Sequence, residues 1–408
     1  MAALPERSRG ALPLILRQRD FRNLWLASLL SKAGSQVSRI GLILFLFQER
    51  GAVAEVALLV VCETLPGALV APAAGAFIDR FGKRRVMVLA DLARAVFMAA
   101  ILISPTPAMI YAMAALHSVA AVFFEPARTA ALPRLVAQRD LPRANGIEQT
   151  TFNLVLVAGP VLGAELLLTL GLTITLVVDV ASFLLSAWLV TRLPALPPAE
   201  ERTERPSPVD EIVDGWRYLR RHPIAARMTG LFFVSLLCVG LWIPLAPFFI
   251  TDFLAAGERV LGWQMAVFGI GGIVGGLTAP RLVARLGQGT LLSYAFLAEG
   301  AHLLLYALVP SVVPSTLLVA TWGMVVSWVM VPFYSILQGV IAEAYQGRVF
   351  AAVRQAENVA LLFAMGVATA FSAAWAPQHL FLVAGVAYLG TALVSQLTAG
   401  GRRLMATP

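Results

Sequence analysis

Six ionisable side chains stand in the middle of long apolar stretches of this chain: Lys32, Arg39, Glu63, Arg94, Asp179 and Glu299. A charge at the centre of a bilayer costs about 3 kcal/mol on insertion scales, so six charges facing lipid would cost roughly 18 kcal/mol. That sum exceeds the net stability of most folded proteins. These side chains must therefore pair with one another or face water, where a carboxylate can bind a proton or a cation.

One polar stripe runs along the first apolar stretch. Lys32, Gln36 and Arg39 recur at helical spacing, and Ser28 and Ser35 flank the same face. We predict that this face lines a central cavity, where it contacts a substrate or a counter-ion. The same residues could instead form static ion pairs with acids of other spans, and the sequence alone does not separate these two interpretations.

Two carboxylates are candidates for the chemistry of that cavity. Glu63 lies near the middle of the second apolar stretch, and Asp179 lies in the sixth. Burial disfavours the charged form of a carboxylate and a nearby cation favours it, so a group between these two influences can carry a proton or bind a cationic ligand. The alternative for each is a structural role as the partner of Lys32 or Arg39.

A weaker candidate lies in the ninth stretch. Glu299 and His302 are three residues apart on one helix face, so they could relay protons together. The alternative is a satisfied hydrogen bond between helices. We interpret His117 as a packed polar residue, and Asp91 and Arg94 as a structural ion pair.

Membrane-spanning helices are needed to position these residues. The chain has 408 residues, of which 59% are hydrophobic and 13% charged, and its mean hydropathy is +0.80. This composition is typical of a polytopic membrane protein. We predict an all-α membrane protein with twelve transmembrane helices in two six-helix bundles, with spans at about 22–48, 54–77, 85–104, 107–127, 145–169, 171–192, 228–252, 260–283, 289–309, 314–338, 350–375 and 379–399.

Other functional classes find little support in the sequence. Cys62 and Cys238 both lie within spans and indicate neither a disulfide framework nor a zinc site. Because no phosphate-binding loop, metal-ligand spacing or clustered catalytic set occurs, we expect no metal, no cofactor and no enzymatic activity. The pI near 10.1 is explained by loop cations near anionic lipid and does not indicate nucleic-acid binding. The expected partners are a small-molecule substrate, protons and membrane lipids, with the protein a monomer.

The distribution of cations predicts an orientation. All but Lys32, Arg39, Arg50, Arg94 and Arg259 of the 31 Lys and Arg residues fall on one side of the predicted spans. This asymmetry is the positive-inside pattern. We therefore expect a multi-pass protein of the cell inner membrane with both termini in the cytoplasm.

A polar break divides the chain into two halves. We predict an N-terminal six-helix bundle at 1–193, a cytoplasmic linker at 194–227 and a C-terminal six-helix bundle at 228–408. The linker contains an amphipathic surface helix that Ser207 can cap. Its apolar face carries Ile212, Trp216 and Leu219, and we expect this face to lie on the inner leaflet.

A weak internal repeat supports the division into halves. Arg143 and Asn153 recur 205 residues later as Arg348 and Asn358, and the Gly-rich end of the second span recurs at Gly275–Gly287. Two repeated halves with a site between them are typical of a transporter.

The strongest local motif lies between the second and third spans and reads Gly75-Ala-Phe-Ile-Asp79-Arg80-Phe-Gly82-Lys83-Arg84-Arg85. Gly82 permits a tight reversal, and Asp79 is a lone acid among four bases. The run resembles the inter-span signature of the major facilitator superfamily. The resemblance implies the major facilitator fold and a conformational latch on the cytoplasmic side, formed by Gly75, Asp79, Arg80, Gly82, Lys83 and Arg84.

Further motifs are similar to the third drug:proton antiporter family, which includes macrolide exporters, a siderophore exporter and transmembrane secretion effectors. They are Asp20-Phe-Arg-Asn-Leu-Trp25, Phe123-Phe-Glu-Pro126-Ala-Arg128 and Gly347-Arg348-Val349-Phe350. Gly159, Pro160 and Gly163 match the helix-packing motif of the family's fifth span, although Val155 stands where a glycine is usual. The fourth span lacks the buried arginine that other drug antiporters use in proton coupling.

The resemblance implies a secondary active efflux transporter for small amphiphilic compounds of a drug-like or antibiotic-like kind, working by proton antiport with alternating access. Three alternatives stay open. An exporter of a siderophore or other anionic metabolite would use Lys32 and Arg39 as substrate contacts, and a lysophospholipid flippase would need a side opening. A non-transporting membrane scaffold or sensor would call for a large soluble partner domain.

Overall fold

The computed structural model describes residues 18–196 and 208–398, which contain helices and no strands. Residues 18–196 form five α-helices: α1 (Arg19–Arg50), α2 (Val53–Phe81), α3 (Lys83–Ile103), α4 (Pro107–Leu135) and α5 (Leu141–Thr191). The second half forms eight: α6 (Pro208–Arg221), α7 (Pro223–Gly240), α8 (Trp242–Phe248), α9 (Arg259–Leu286), α10 (Gln288–Leu308), α11 (Val312–Val340), α12 (Glu343–Ser372) and α13 (Pro377–Leu397).

These helices make twelve membrane crossings within the described ranges. Ten stretches are long and apolar enough to cross a membrane, and one of them contains all of α5. That helix crosses twice because its backbone breaks at Gly171, where φ is 79° and only glycine is unstrained. We call its two segments α5a and α5b. The helices α7 and α8 and the π-helical turn Phe249–Phe253 form one crossing, and the less apolar α12 supplies the twelfth, so the predicted all-α architecture is confirmed.

The turns between helices define two sides of the molecule. The linker side holds α6 and the turn at Gly82, and the far side holds the turns at Gly51 and Gly171. Helices α1 and α5a therefore run in the same direction, whereas α4 and α5a run in opposite directions, so residues near the end of α4 meet residues near the start of α5a on the linker side. The cavity described below lies at this meeting point.

The backbone repeats between the halves more closely than the sequence does. Helices α3 and α4 begin and end 205 residues before α10 and α11, respectively. The linker-side turns that precede α3 and α10 contain Gly82 and Gly287, with φ of 82° and 81°. Both glycines have the positive φ that an L side chain rarely adopts. The two turns are therefore structural equivalents, although the Asp-Arg pair of the first has no counterpart in the second.

Helix α6 is present where the sequence predicts it, but its apolar face packs on protein. Leu219 is buried in the core of the second half, and the Trp216 Nε1–H donates to Gln355 Oε1 at 2.9 Å. A Cβ atom at Gly215 would overlap the carbonyl oxygen of Arg348 on α12. The expected placement of this face on the inner leaflet is therefore corrected, while Ser207 and the side chain of Ile212 lie outside the described residues.

The two halves meet at a far-side seam between α5a and α9. A Cβ added at Gly262 would lie 3.0 Å from the carbonyl oxygen of Pro160, and one added at Gly269 would lie 2.8 Å from Val157 Cγ2. Such close approach of two helix backbones is possible because the residues at the contact are small. Arg259 and Glu165 add an ion pair of 3.1 Å across the same seam.

The apolar core also differs between the far side and the linker side of the molecule. One cluster of buried side chains joins the far-side part of the first half, including Leu44 and Val56, to the second half, including Phe249. A separate cluster around Phe21 and Met87 fills the linker side of the first half alone. The halves are therefore fused by apolar packing on the far side, whereas the linker side of the first half packs on itself.

Candidate functional site

A cavity of about 610 Å³ lies on the linker side of the first half. Helices α1, α3, α4 and α5a line it, and its polar lining includes Lys32, Gln36, Arg94, Glu125, Arg128 and Glu148. Lys32, Gln36 and Ser35 belong to the polar stripe that the sequence assigns to a cavity. The rings of Phe124 and Phe152 supply apolar surface beside these charges.

Four charges form one network in this cavity, which we call the four-charge cluster: Lys32, Glu125, Arg128 and Glu148. Lys32 Nζ lies 3.3 Å from Glu125 Oε1 and 4.0 Å from Glu148 Oε2. Arg128 donates two hydrogen bonds to Glu125, at 3.1 and 2.6 Å, and its Nη1 lies 3.1 Å from Glu148 Oε2. The cluster holds two cations and two anions, so its charges balance without a ligand.

The members of the cluster differ in exposure. The side chains of Arg128 and Glu148 are 9% and 7% exposed, whereas that of Glu125 is 47% exposed. Glu148 also accepts a hydrogen bond from Ser28 Oγ at 3.2 Å. Glu125 is thus the carboxylate of the cluster that a molecule entering the cavity meets first. Lys32 Nζ lies 5.8 Å from the centre of the Phe152 ring, which borders the same space.

Sequence reasoning did not select three of these four residues. Glu125 and Arg128 belong to the motif Phe123–Arg128 at the end of the fourth span, and no sequence motif contains Glu148. Glu125 and Glu148 lie near the ends of the predicted spans 107–127 and 145–169, and Arg128 lies one residue beyond the first of them. In the structure α4 continues to Leu135 and α5 begins at Leu141. The sequence signal for the pair Glu125 and Arg128 is its spacing of three residues, which places the two opposite charges on one helix face.

A second ion pair lies closer to the far side. Arg39 Nε of α1 approaches Glu63 Oε2 of α2 to 3.1 Å, and both side chains are partly exposed. These two residues are therefore one another's partners, as the structural alternative for Glu63 anticipates. The four-charge cluster and this pair occupy successive levels along α1.

Asp179 does not line the cavity, so its assignment to the cavity wall is corrected. Its side chain is 0% exposed and lies against Gly34, where an added Cβ would be 2.5 Å from Asp179 Oδ1. Asp179 Oδ1 accepts from Ser182 Oγ at 3.4 Å. The reason for the correction is the identity of the neighbour, because α1 presents a glycine to α5b at this level and closes over the carboxylate.

Asp91 and Arg94 form the ion pair that the sequence predicts. Asp91 also accepts a hydrogen bond from Ser186 Oγ at 2.6 Å. The Arg94 guanidinium lies between the rings of Phe124 and Phe183, at 4.8 and 4.5 Å from their centres. Arg94 therefore connects a buried polar region with the wall of the cavity.

The structure gives Glu299 and His302 separate partners. Glu299 Oε2 accepts hydrogen bonds from Ser235 Oγ at 2.9 Å and from the Tyr388 hydroxyl at 2.5 Å. The His302 ring nitrogens lie 2.7 Å from the Ala298 carbonyl oxygen and 3.0 Å from Thr321 Oγ1. These contacts agree with the alternative interpretation, in which Glu299 and His302 make hydrogen bonds between helices. They do not support a proton relay between the two residues.

The residues of the predicted latch lie in and around the turn at Gly82. Arg84 Nη1 donates to the Leu193 carbonyl oxygen at 2.7 Å, which is a contact within the first half. Arg80 lies over the Phe81 ring, and Lys83 is buried. Gly75 and Asp79 belong to α2, but the contacts of Gly75 and of the Asp79 side chain lie outside the described part of the structure, so the role of the latch stays a prediction.

The three residues of the fifth-span motif lie where helices touch. A Cβ added at Gly159 would be 2.6 Å from Gln36 Cβ, and one added at Gly163 would be 2.6 Å from the Val37 carbonyl oxygen. Pro160 presents its carbonyl oxygen to the far-side seam. The motif thus holds α5a against α1 on one face and against α9 on another.

Comparison with known proteins places the chain in a family. Residues 24–365 match the sequence model of the Major Facilitator Superfamily, and the chain belongs to this superfamily. It is therefore a multi-pass membrane transporter of small molecules and not an enzyme.

Two relatives carry descriptions of activity. The chain is 27% identical over 360 residues to the multidrug efflux pump Tap of Mycolicibacterium fortuitum, with 84% of each chain covered. It is 22% identical over 399 residues to macrolide efflux protein A of Streptococcus pyogenes, covering 94% of this chain and 97% of that protein. Among solved structures, a POT family transporter in complex with 5-aminolevulinic acid has a TM-score of 0.77 at 9% identity, covering 95% of this chain and 97% of that one. This likeness shows the shared fold.

Proposed function

We propose that the protein exports small amphiphilic compounds, with a preference for cations, in exchange for protons. The names of its relatives, a multidrug efflux pump and a macrolide efflux protein, support export as the direction and amphiphilic compounds as the cargo. The four-charge cluster supports a preference for cations, because its most exposed member is a carboxylate.

The observation that carries this proposal is the position of Glu125. Its carboxylate is 47% exposed in a 610 Å³ cavity that also contains the Phe152 ring. A lipophilic cation can be bound by a carboxylate through its charge and by an aromatic ring through its apolar body. Lys32 and Arg39 each face a carboxylate already, so an anionic cargo would have to compete with a charge of the protein itself.

The orientation follows from the loop cations. Arg80, Arg84 and Arg139 lie on the linker side, together with most of the other loop Arg and Lys residues. Because cytoplasmic loops of membrane proteins are enriched in Lys and Arg, we assign the linker side and both termini to the cytoplasm. The cavity would then load from the cytoplasm, while the far-side seam keeps the exterior closed.

Alternating access completes the cycle. The predicted N-terminal and C-terminal bundles would rock about the site, so that the far-side seam opens as the linker side closes. A proton that enters the cell along the membrane potential releases about 2.3 kcal/mol per 100 mV. For a neutral cargo this free energy is sufficient to drive a concentration ratio of more than ten, whereas exchange of one proton for one monovalent cation moves no net charge and is driven by the pH gradient alone.

The experiment is transport into inverted membrane vesicles, whose lumen corresponds to the exterior. The panel would contain ethidium as a lipophilic cation, a macrolide, a ferric siderophore as an anion and a lysophospholipid, each with and without an acidic lumen. We expect accumulation of the cation and the macrolide that requires the acidic lumen. Accumulation of the anion or the lysophospholipid alone, or of no compound beyond vesicles without the protein, would contradict the proposal.

Charge-neutralising variants separate cationic from anionic cargo. Glu125→Gln and Glu63→Gln should lower transport of ethidium, whereas Lys32→Gln and Arg39→Gln should lower transport of an anion. If none of the four variants changes transport of any compound, the cavity is not the substrate site.

A further inference from the structure

A group of ionisable side chains lies behind the cavity wall, between α1, α3, α4 and α5b. We call it the buried acid cluster and define it as Asp91, Arg94, His117 and Asp179. Asp91 and Asp179 are both 0% exposed, and Arg94 is 5% exposed. The function proposed above uses none of these side chains for binding substrate.

The two acids of the cluster differ in how well they are satisfied. Asp91 contacts Arg94 and accepts from Ser186. Asp179 Oδ2 is buried and meets no hydrogen-bond donor at normal geometry. Oδ1 accepts a long bond of 3.4 Å from Ser182, and the Ser38 hydroxyl lies beside the carboxylate. His117 Nε2 and Arg94 Nε are also buried without a partner. Unsatisfied buried polar atoms are rare, and their concentration around one carboxylate indicates that something binds there.

The charges around Asp179 leave it without a cation of its own. Helix α1 faces the cluster with the hydroxyls of Ser31 and Ser38 and with Gly34. Helix α3 supplies Asp91 and Arg94, and α4 supplies His117 and, at the cavity, Glu125, which also interacts with Arg94. Helix α5b adds Ser182 and Ser186.

The described side chains around the cluster therefore provide one guanidinium for two buried carboxylates. That guanidinium is already held by Asp91. A charged Asp179 would leave a net negative charge in a medium of low dielectric, and one proton on Asp179 removes it.

We propose that Asp179 is the site that binds the transported proton, and that Arg94 carries the effect of its charge to the substrate cavity. This inference rests on the proton exchange proposed above. A proton adds to the free oxygen of the Asp179 carboxylate to give the neutral acid, and its later release restores the carboxylate. Arg94 belongs to the buried acid cluster and also lines the cavity. A charged Asp179 competes with Glu125 for the Arg94 guanidinium, so the charge of Asp179 determines how strongly Arg94 is attracted to Glu125 and the substrate site.

Helix α1 links the two sites mechanically. Gly34 closes over Asp179, and the two helices pack so closely here that a Cβ at this position would lie 2.5 Å from Asp179 Oδ1. Lys32 and Gln36, two residues to either side, line the substrate cavity. A movement of α1 that accompanies substrate binding therefore changes the access to Asp179 as well.

The test compares Asp179→Asn with the wild-type protein and with Glu299→Gln in inverted vesicles. Glu299 is a matched control because it is an equally buried carboxyl with its own hydrogen bonds and no place in the cavity. Two transport modes are measured with ethidium: accumulation driven by an acidic lumen, and exchange of labelled for unlabelled ethidium at equal pH. For one proton per substrate, a gradient of about one pH unit sustains an accumulation ratio of about ten.

We expect Asp179→Asn to bring the accumulation ratio to about one while exchange stays within about twofold of wild type, because the neutral amide mimics a permanently protonated acid. Glu299→Gln should keep both modes. Retention of driven accumulation by Asp179→Asn, its loss in Glu299→Gln, or equal loss of both modes in Asp179→Asn would overturn the proposal.

Two further outcomes are informative. If Asp179→Asn does not reach the membrane, Asp179→Ser, which is smaller and also neutral, replaces it. Failure of both variants to reach the membrane would show that the charge serves folding, which also overturns the proposal. If the wild-type protein exchanges ethidium but shows no dependence on the pH gradient, proton antiport itself fails, and this result is distinct from any result with the variants.

Discussion

Glu125 and Glu148 contact the same two cations, and their exchange for glutamine should have opposite consequences. Glu148 is 7% exposed and lies 3.1 Å from Arg128, which is itself 9% exposed. Glu125 contacts the same guanidinium with two hydrogen bonds but is 47% exposed. The pair of variants therefore separates a contribution to folding from a contribution to cargo binding.

The expected magnitudes follow from this difference in burial. Removing one partner of a buried ion pair costs about 3–5 kcal/mol, because the other charge stays buried. Arg128 would keep its contacts with Glu125, so we expect Glu148→Gln to cost about 3 kcal/mol, the lower end of that range. An ion pair with an exposed partner contributes at most about 1 kcal/mol, so Glu125→Gln should be nearly as stable as wild type.

The assay is thermal unfolding of the purified protein in detergent, followed by tryptophan fluorescence, together with ethidium transport into inverted vesicles. Glu148→Gln should lower the midpoint clearly, whereas Glu125→Gln should hold its midpoint and lose transport. Glu49→Gln is the matched control, because Glu49 is an exposed residue at the far-side end of α1. A loss of stability in Glu125→Gln equal to or larger than that in Glu148→Gln would refute the reasoning.

Three other changes have defined outcomes. Gly323→Ala places a Cβ onto a backbone oxygen of α9 and should destabilise the protein by about 1–3 kcal/mol. Gly276→Ala adds a Cβ that meets nothing within 4 Å and should stabilise the protein by up to about 1 kcal/mol. Thermal unfolding compares the two variants, and equal effects would contradict the packing described. Glu165→Gln removes the exposed ion pair to Arg259 and should change the stability by less than about 1 kcal/mol. In this variant a cysteine introduced in the far-side seam should become easier to label with an impermeant thiol reagent. Unchanged labelling would show that the ion pair does not hold the seam closed. Asp79→Asn should leave the amount of protein in the membrane unchanged and slow ethidium turnover, and an unchanged turnover would argue against a latch.

The architecture could be predicted from the sequence because the signals for it are long and repeated. Each crossing requires about twenty apolar residues, and the cations of the loops reinforce the same boundaries. The break in α5 at Gly171 also agrees with the sequence, since one predicted span ends at 169 and the next begins at 171. The docking of α6 was missed because an amphipathic helix has the same pattern whether its apolar face meets lipid or protein.

The candidate site was harder to predict because it depends on which helices are neighbours. The partner of Arg39 could be narrowed to two acids from the sequence, but only the packing of α1 against α2 selects Glu63. Asp179 was assigned to the cavity because it is an acid in a span, and its burial depends on a glycine of another helix. Glu148 lies near the start of the predicted span 145–169, and its partners Lys32 and Arg128 belong to other helices, so only the packing identifies it as part of the site.

The far-side seam between α5a and α9 has a consequence for how the exterior gate opens. Its contacts opposite Gly262 and Gly269 include both backbone and side-chain atoms of α5a. Dispersion attraction between such atoms loses a quarter to a half of its strength when a gap of about 0.5–1 Å appears. A partial separation therefore gives up much of this attraction before any new contact replaces it. We therefore expect the gate to be bistable, and single-molecule distance records across it should show two discrete populations with abrupt jumps between them, not a continuous drift.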